Sequence, residues 1–186
     1  MEKKMKILGF AGSLRKHSYN RGLLKAALEM APSNCALEIL DLEGIPLYNQ
    51  DGENPLPPAV VHLKAKVRAA DAILIATPEY NYSIPGVLKN ALDWGSRPYG
   101  DNAWNNKPVA IMGASPAMQG TSRAQYHLRQ VFVYLNMHPL NQPEVMVASA
   151  QDRFDEKGNL TDPKSRQKVA ELLTALIAAT QQRTRG

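Results

Sequence analysis

Three polar stretches hold the residues whose types and spacing could do chemistry. The first, Gly12-Ser13-Leu14-Arg15-Lys16-His17-Ser18-Tyr19-Asn20, leads into a helical pattern. A phosphate group is held by backbone N–H groups, by hydroxyl donors and by the positive end of a helix dipole. This stretch offers all three, with Arg15 beside them. A plain helix cap needs only one hydroxyl or amide, whereas Ser13, Ser18 and Asn20 converge here with an arginine. The second stretch, Thr77-Pro78-Glu79-Tyr80-Asn81-Tyr82-Ser83-Ile84-Pro85-Gly86, sets two tyrosines beside an amide and a carboxylate on a loop braced by prolines. Pro78, Glu79, Tyr80, Asn81 and Tyr82 could give a planar heteroaromatic ring, such as a flavin, an apolar wall and backbone hydrogen bonds. A rigid loop whose tyrosines pack on a neighbouring subunit is the alternative, and the two readings are compatible. The third stretch, Gly113-Ala114-Ser115-Pro116-Ala117-Met118-Gln119-Gly120-Thr121, offers Ser115 to the same ring or phosphate.

Other chemistries fail on spacing. No Gly-Lys-Ser/Thr follows Gly12 as a Walker A motif requires, and Gly9 and Gly12 do not make Gly-x-Gly-x-x-Gly. Asp41 comes too late for a ribose-binding acid and reads as a solvated strand end. The third stretch departs from a nucleophile elbow: Ala117 stands where its second glycine belongs, Pro116 has no N–H for an oxyanion hole, and no histidine follows Asp152. His17, His62, His127 and His138 lack metal-ligand spacing. The lone Cys35 excludes an internal disulfide and a cysteine-based zinc site, and no flanking base activates it in its expected helix-to-strand turn. No metal is expected.

The elements that must position these loops alternate along the chain. Residues 5–10 read as a first strand, and Leu23, Leu24, Ala27, Leu28 and Ala31 share one face of a helix. Residues 37–42 read as a second strand, residues 43–58 as a Pro-rich loop, and Val60, Leu63, Val67 and Ala70 as the next helical stripe. The third strand, residues 72–77, is apolar throughout, the mark of burial on both faces. A helix over 85–94, a strand over 109–114, a helix marked by Ala124, Leu128, Val131, Phe132 and Leu135, and a strand over 144–148 follow. Asp162 as N-cap and Pro163 at the first helical position start a last helix faced by Val169, Leu172, Leu173, Leu176 and Ile177. Residues 181–186 read as a polar tail prone to fray. This βαβαβαβαβα order implies an α/β fold: a doubly wound parallel sheet of about five strands with helices on both faces. Ligands in such sheets bind beyond the carboxyl ends of the strands, where all three loops would lie.

Composition sets the outer bounds. The 186 residues, with 44% hydrophobic and 21% charged, suffice for a single domain that folds without a staple. No apolar run reaches the roughly 20 residues of a membrane helix, and Met1-Glu2-Lys3-Lys4 opens directly into a strand-like segment, so a cytoplasmic protein is expected. The net charge of +5 would draw anionic small molecules. The basic residues are scattered, with no stripe interleaved with aromatics, so neither nucleic acid nor membrane is expected as a partner. Trp94 and Trp104 bracket a Gly/Pro/Asn-rich loop and read as packing residues.

Taken together, residues 12–20, 78–94 and 122–130 resemble the NADPH-dependent FMN reductase family, close to its chromate and quinone reductase branch. The resemblance runs from the first strand to about Glu144. It implies a flavodoxin-like sheet of order 2-1-3-4-5, FMN bound non-covalently, and a homodimer that can pair into a homotetramer. Ser13, Arg15, Ser18 and Asn20 would hold the FMN phosphate, Pro78 to Tyr82 would border the ring, and Ser115 would line the site. The loop after the fourth strand departs from the family pattern at Ala117 and Thr121. The reaction so implied passes hydride from NADPH or NADH through FMN to a small-molecule electron acceptor. A quinone, chromate, an azo compound or free flavin would serve. The flavin does the chemistry, so no acid–base catalytic residue is expected. Arg15 would also attract the anionic nucleotide or an oxyanion acceptor. Arg123, Tyr126 and Arg129 on the fourth helix, with Glu144, are candidates to bridge subunits, or else form a solvated face.

A non-enzymatic FMN electron carrier is the main rival, but such carriers are strongly acidic and this chain is basic. A flavin-dependent redox sensor would bind FMN and turn over poorly. A phosphorelay receiver needs an aspartate at the end of strand three, where Thr77-Pro78 stands.

Overall fold

In the computed structural model, which describes residues 4–185, strands and helices alternate as the patterning requires. The order is β1 (Met5–Ala11), α1 (Tyr19–Glu29), β2 (Cys35–Ile39), α2 (Pro58–Ala69), β3 (Ala72–Ala76), α3 (Gly86–Gly95), β4 (Pro108–Ala114), α4 (Ser122–Leu135), β5 (His138–Pro139), β6 (Val145–Val147) and α5 (Pro163–Arg185). Every ladder is parallel, and the path is β2-β1-β3-β4-β5, with β6 also on β4. This is the flavodoxin-like order 2-1-3-4-5. Its fifth position is filled by two short pieces, β5 beside the start of β4 and β6 beside its end.

The central strands explain the two layers. Along β3, Ala72, Leu74 and Ala76 face α1 and α5, while Ile73 and Ile75 face the side of α2, α3 and α4. Along β4, Ala110, Met112 and Ala114 repeat the first face, and Val109 and Ile111 the second. Period-two alternation thus gives the face toward α1 and α5 alanines at four positions, with Leu74 and Met112 between them, and the other face β-branched side chains. Each large buried side chain contributes roughly 1.5–3 kcal/mol by leaving water. Gly22 of α1 lies against the segment that precedes α5: any Cβ there would overlap the Gly158 carbonyl oxygen and lie 2.8 Å from the Phe154 ring.

Several boundaries differ from expectation. β2 begins at Cys35 and ends at Ile39, so Cys35 is a buried strand residue, not part of a turn, and burial pushes its thiol pKa up. Leu42, apolar and thus part of the predicted strand over 37–42, lies beyond the end of β2 with its side chain buried in the α2 layer. β5 was not foreseen, because two residues carry no periodicity. α5 continues through residues 181–185, so the expected tail is helical up to Arg185. Its start is as read: Asp162 Oδ2 accepts from the N–H and the hydroxyl of Ser165 at 2.8 and 2.7 Å, and these bonds hold its carboxyl below the usual range. Trp94 and Trp104 are buried and donate to the carbonyls of Pro46 and Leu92. Among the described residues no helix is long and apolar enough to cross a membrane.

Candidate functional site

The chain leaves β1 for the α1 side and reaches β3 from the α2 side, so the crevice between these neighbouring strands is the topological switch point. The ladders run one residue past the strands: Gly12 N–H donates to the Ala76 carbonyl and Thr77 N–H to that of Met112, both at 2.9 Å. The loops after β1, β3 and β4 therefore emerge side by side. Gly113 locks the last two together. A Cβ there would overlap Thr121 Oγ1 and lie 2.5 Å from the Thr77 carbonyl oxygen, so only glycine fits.

The loop after β1 is rich in unspent donors. Ser18 is the N-cap of α1, and its hydroxyl accepts from the Asn20 N–H at 3.2 Å. Ser13 is buried, and its hydroxyl accepts from the Arg15 N–H at 3.3 Å and from the Tyr80 hydroxyl at 3.4 Å. The N–H groups of Ser13, Leu14, Lys16 and His17 have no protein partner among the described residues. Arg15 is exposed, its guanidinium carbon 5.4 Å from the centre of the Tyr19 ring. Unpaired amides, two hydroxyls, an exposed guanidinium and the start of an 11-residue helix form a donor set for an anion, which is what a phosphate monoester requires. Asn20 has another task. Its Oδ1 accepts from the Ala114 N–H at 2.9 Å and its Nδ2 donates to the Ala114 carbonyl at 3.0 Å, so the side chain ties α1 to the end of β4.

The loop after β3 spends its groups on itself and on α4. Tyr80 and Ser83 exchange backbone hydrogen bonds at 3.0 and 2.9 Å around Asn81 and Tyr82, whose φ of 49° and 68° make a type I′ turn. Positive φ at a tyrosine is strained, and such strain gathers at functional sites. The Glu79 carboxylate is buried and accepts from the N–H groups of Arg123 and Ala124 at 3.0 and 3.2 Å, capping α4, which has no cap of its own. Arg123 Nε bonds the other Glu79 oxygen, and its guanidinium carbon lies 3.6 Å from the centre of the Tyr82 ring. Glu79 is thus a brace whose side chain is already engaged, while the side chains of Tyr80 and Tyr82 are exposed at 49% and 68%. The N–H groups of Glu79, Asn81 and Tyr82 have no protein partner among the described residues. Pro78 is buried beneath them.

Ser115 is half-buried. Its hydroxyl accepts from the Ala117 N–H at 3.1 Å, and its backbone bonds Val147 and Ala150, so it shapes its own loop first. The polar face of α4 also finds partners within the chain: Tyr126 donates to Glu144 at 3.0 Å, which raises the phenol's pKa, and Arg129 donates to the Leu140 carbonyl at 2.7 Å. Asp41, read as solvated, pairs with Arg21 at 2.8 Å. One cluster escaped sequence patterning. Glu53 accepts from Arg97 Nε at 2.6 Å and from the Tyr48 hydroxyl at 2.7 Å, which hold its carboxyl below the usual range. Arg97 stacks 3.7 Å from the Tyr99 ring centre, and its Nη2 is buried without a protein partner among the described residues. Two loops far apart in sequence, after β2 and after α3, supply this cluster, so no local spacing could signal it.

With this geometry in place, likeness to known proteins is decisive. The sequence profile of the family described as NADPH-dependent FMN reductase matches residues 5–152. The chain belongs to that family. As a member of the FMN reductase family it is an oxidoreductase, and it is 52% identical over 177 residues to an NAD(P)H-dependent FMN reductase of Pseudomonas aeruginosa, with 95% of each chain covered. It is 44% identical over 162 residues to a 2-hydroxy-1,4-benzoquinone reductase of a Burkholderia species, covering 87% of this chain and 88% of that protein. Among solved structures it is similar to FerB, a flavoenzyme NAD(P)H:(acceptor) oxidoreductase of Paracoccus denitrificans. The TM-score is 0.88 at 32% identity, over 96% of this chain and 98% of that one.

Proposed function

We propose that the chain binds FMN non-covalently at the β1–β3 crevice and uses it to reduce a quinone or similar acceptor with NADPH or NADH. The observation that carries this reading is the pairing of two unlike loops, one rich in unpaired N–H groups and one presenting tyrosines, linked by the Tyr80 hydroxyl against Ser13 Oγ at 3.4 Å. The amides of Ser13, Leu14, Lys16 and His17, with Arg15 and the α1 dipole, hold the phosphate; Ser13 and Ser18 frame it. Asn20 positions that helix against β4. Pro78, Tyr80 and Tyr82 wall the ring, and the free N–H groups of Glu79, Asn81 and Tyr82 meet its polar edge. Ser115 closes the far side. The redox chemistry, hydride uptake from NAD(P)H and its passage to the acceptor, is what a bound FMN supplies.

The residues' own contribution is to orient and to stabilise charge. Exposed aromatic walls leave one side open, so that donor and acceptor occupy the same place in turn, a ping-pong order, at near-attack distance. Fixed amide donors need no reorganisation as negative charge develops. Quinones, chromate, azo compounds and free flavin all fit an open face. A homodimer or homotetramer belongs to the same reading and is supported by the exposed apolar residues Val133 and Tyr134 on the outer side of α4. A cytoplasmic setting suits the reductants.

An anaerobic visible spectrum tests the proposal. The full chain is reconstituted with FMN, desalted, treated with NADPH and then with a quinone. Retained yellow colour that bleaches within seconds and returns on quinone addition is the expected result. Retained flavin that stays oxidised would overturn the reductase and leave a carrier or sensor.

A further inference from the structure

Arg21 stands in the first turn of α1, where a cation meets the positive end of the helix dipole and is disfavoured. Its side chain has two bonded neighbours that account for its presence. Nε donates to the Ser13 carbonyl at 3.2 Å, and Nη2 donates to the two carboxylate oxygens of Asp41 at 2.9 and 2.8 Å. Asp41 Oδ1 also accepts from the Glu43 N–H at 3.1 Å, which fixes the carboxylate to the chain beyond β2. The guanidinium therefore joins α1, the segment after β2 and the loop after β1. Carbonyl and N–H point in opposite directions across a trans peptide, so holding the Ser13 carbonyl also sets the direction of the Leu14 N–H. That N–H is one of the unpaired donors.

We propose that Arg21, steadied by Asp41, is a positioning residue for phosphate recognition, holding the Ser13–Leu14 peptide so that the Leu14 N–H serves the FMN phosphate. The inference rests on the assignment of this loop to the phosphate. Arg21 and Asp41 side chains are 34% and 46% exposed, and ion pairs so open to water add little to folding stability. Their value lies in geometry. A role through charge alone makes the opposite forecast for one variant: Asp41 is an anion near the phosphate, so removing its charge would tighten binding, whereas loss of the clamp weakens it.

The test compares dissociation constants for FMN and riboflavin on the full-length apoprotein by flavin fluorescence quenching. Arg21→Met and Asp41→Asn are used, and melting curves confirm that each is folded. With one oriented donor to an anion lost, the FMN constant is expected to rise about tenfold in Arg21→Met and about threefold in Asp41→Asn. The riboflavin constant should stay within about twofold, because riboflavin has no phosphate for the loop to hold. Should Arg21→Met not fold, the milder Asp41→Asn carries the comparison. Tighter FMN binding in Asp41→Asn overturns the proposal, as does an unchanged FMN-to-riboflavin ratio in both variants. A wild-type protein with no preference for FMN over riboflavin would overturn the phosphate assignment itself, while a wild-type preference kept by both variants overturns only the clamp.

Discussion

The loops after β1 and β3 leave adjacent strands at the same edge of the sheet, yet they use their polar groups in opposite ways. The β3 loop closes on itself through the Tyr80 and Ser83 backbone bonds, buries the Glu79 carboxylate on α4 and stacks Tyr82 on Arg123. The β1 loop leaves Ser13, Leu14, Lys16 and His17 N–H groups unpaired and is held from behind by Asn20, Ser18 and Arg21. The difference matches the two halves of a nucleotide-like ligand. A rigid apolar wall suits a ring, whose recognition depends on shape, and a nest of free amides suits an anion, whose recognition depends on unspent donors. Rigidity in the second case must come from outside the loop, because any donor used for internal order is lost to the ligand.

The most severe way to break this arrangement is to separate its foundations. Gly113→Ala places a methyl group against Thr121 Oγ1 and the Thr77 carbonyl, neither of which can retreat without moving β3 or α4. Overpacking of this kind costs about 3 kcal/mol. Urea unfolding should show that loss, and the folded fraction should retain no flavin after desalting. A change below about 0.5 kcal/mol would show that the loops are not locked through β4.

Much of this was legible in the sequence. Strand and helix identity followed from alternation and stripes, and the Asp162-Pro163 cap from two residues. Ser13, Arg15 and Ser18 stood out because polar donors cluster where a strand meets a helix. What the sequence hid was the division of labour within each loop. Glu79 and Asn20 have the chemistry of ligand contacts, but their partners, Arg123 and Ala114, lie 44 and 94 residues away. The same distance problem concealed the Arg21–Asp41 pair and the Tyr48, Glu53 and Arg97 cluster, since three-dimensional proximity leaves no local periodicity to read. The I′ turn was equally invisible: Asn81-Tyr82 lacks the glycine that usually marks one.

Glu79→Ala sharpens the contrast from the rigid side. It removes the acceptor for two α4 amides and one side of a partly buried ion pair, for a loss of about 2 kcal/mol. Glu79→Gln should lose about half as much, because its amide oxygen can still accept from both N–H groups while the amide nitrogen gives up the pair with Arg123. Loosening the ring wall should weaken riboflavin and FMN binding by the same factor, since both share the ring. Parallel titrations would read this directly. A loss confined to FMN would instead tie Glu79 to the phosphate and erase the distinction between the loops.

The smallest expected effect on stability belongs to Tyr82→Gly, and its smallness is the point. Glycine adopts a φ of 68° freely, which relieves strain of about 1–3 kcal/mol at that residue. Against this, the variant gives up the cation–π contact with Arg123, about 0.5–1 kcal/mol at an exposed site, and gains unfolded-state freedom of similar size. These terms nearly cancel, so urea unfolding should place the variant within about 1 kcal/mol of wild type. Flavin affinity should nevertheless fall, because the aromatic wall is gone while the backbone turn remains. A stability loss above about 2 kcal/mol would make Tyr82 a packing residue whose strain is repaid locally. Unchanged stability with weakened flavin binding would mean that the positive φ is kept for the ligand: the turn holds a tyrosine where glycine is more comfortable because the ring needs a wall at that position.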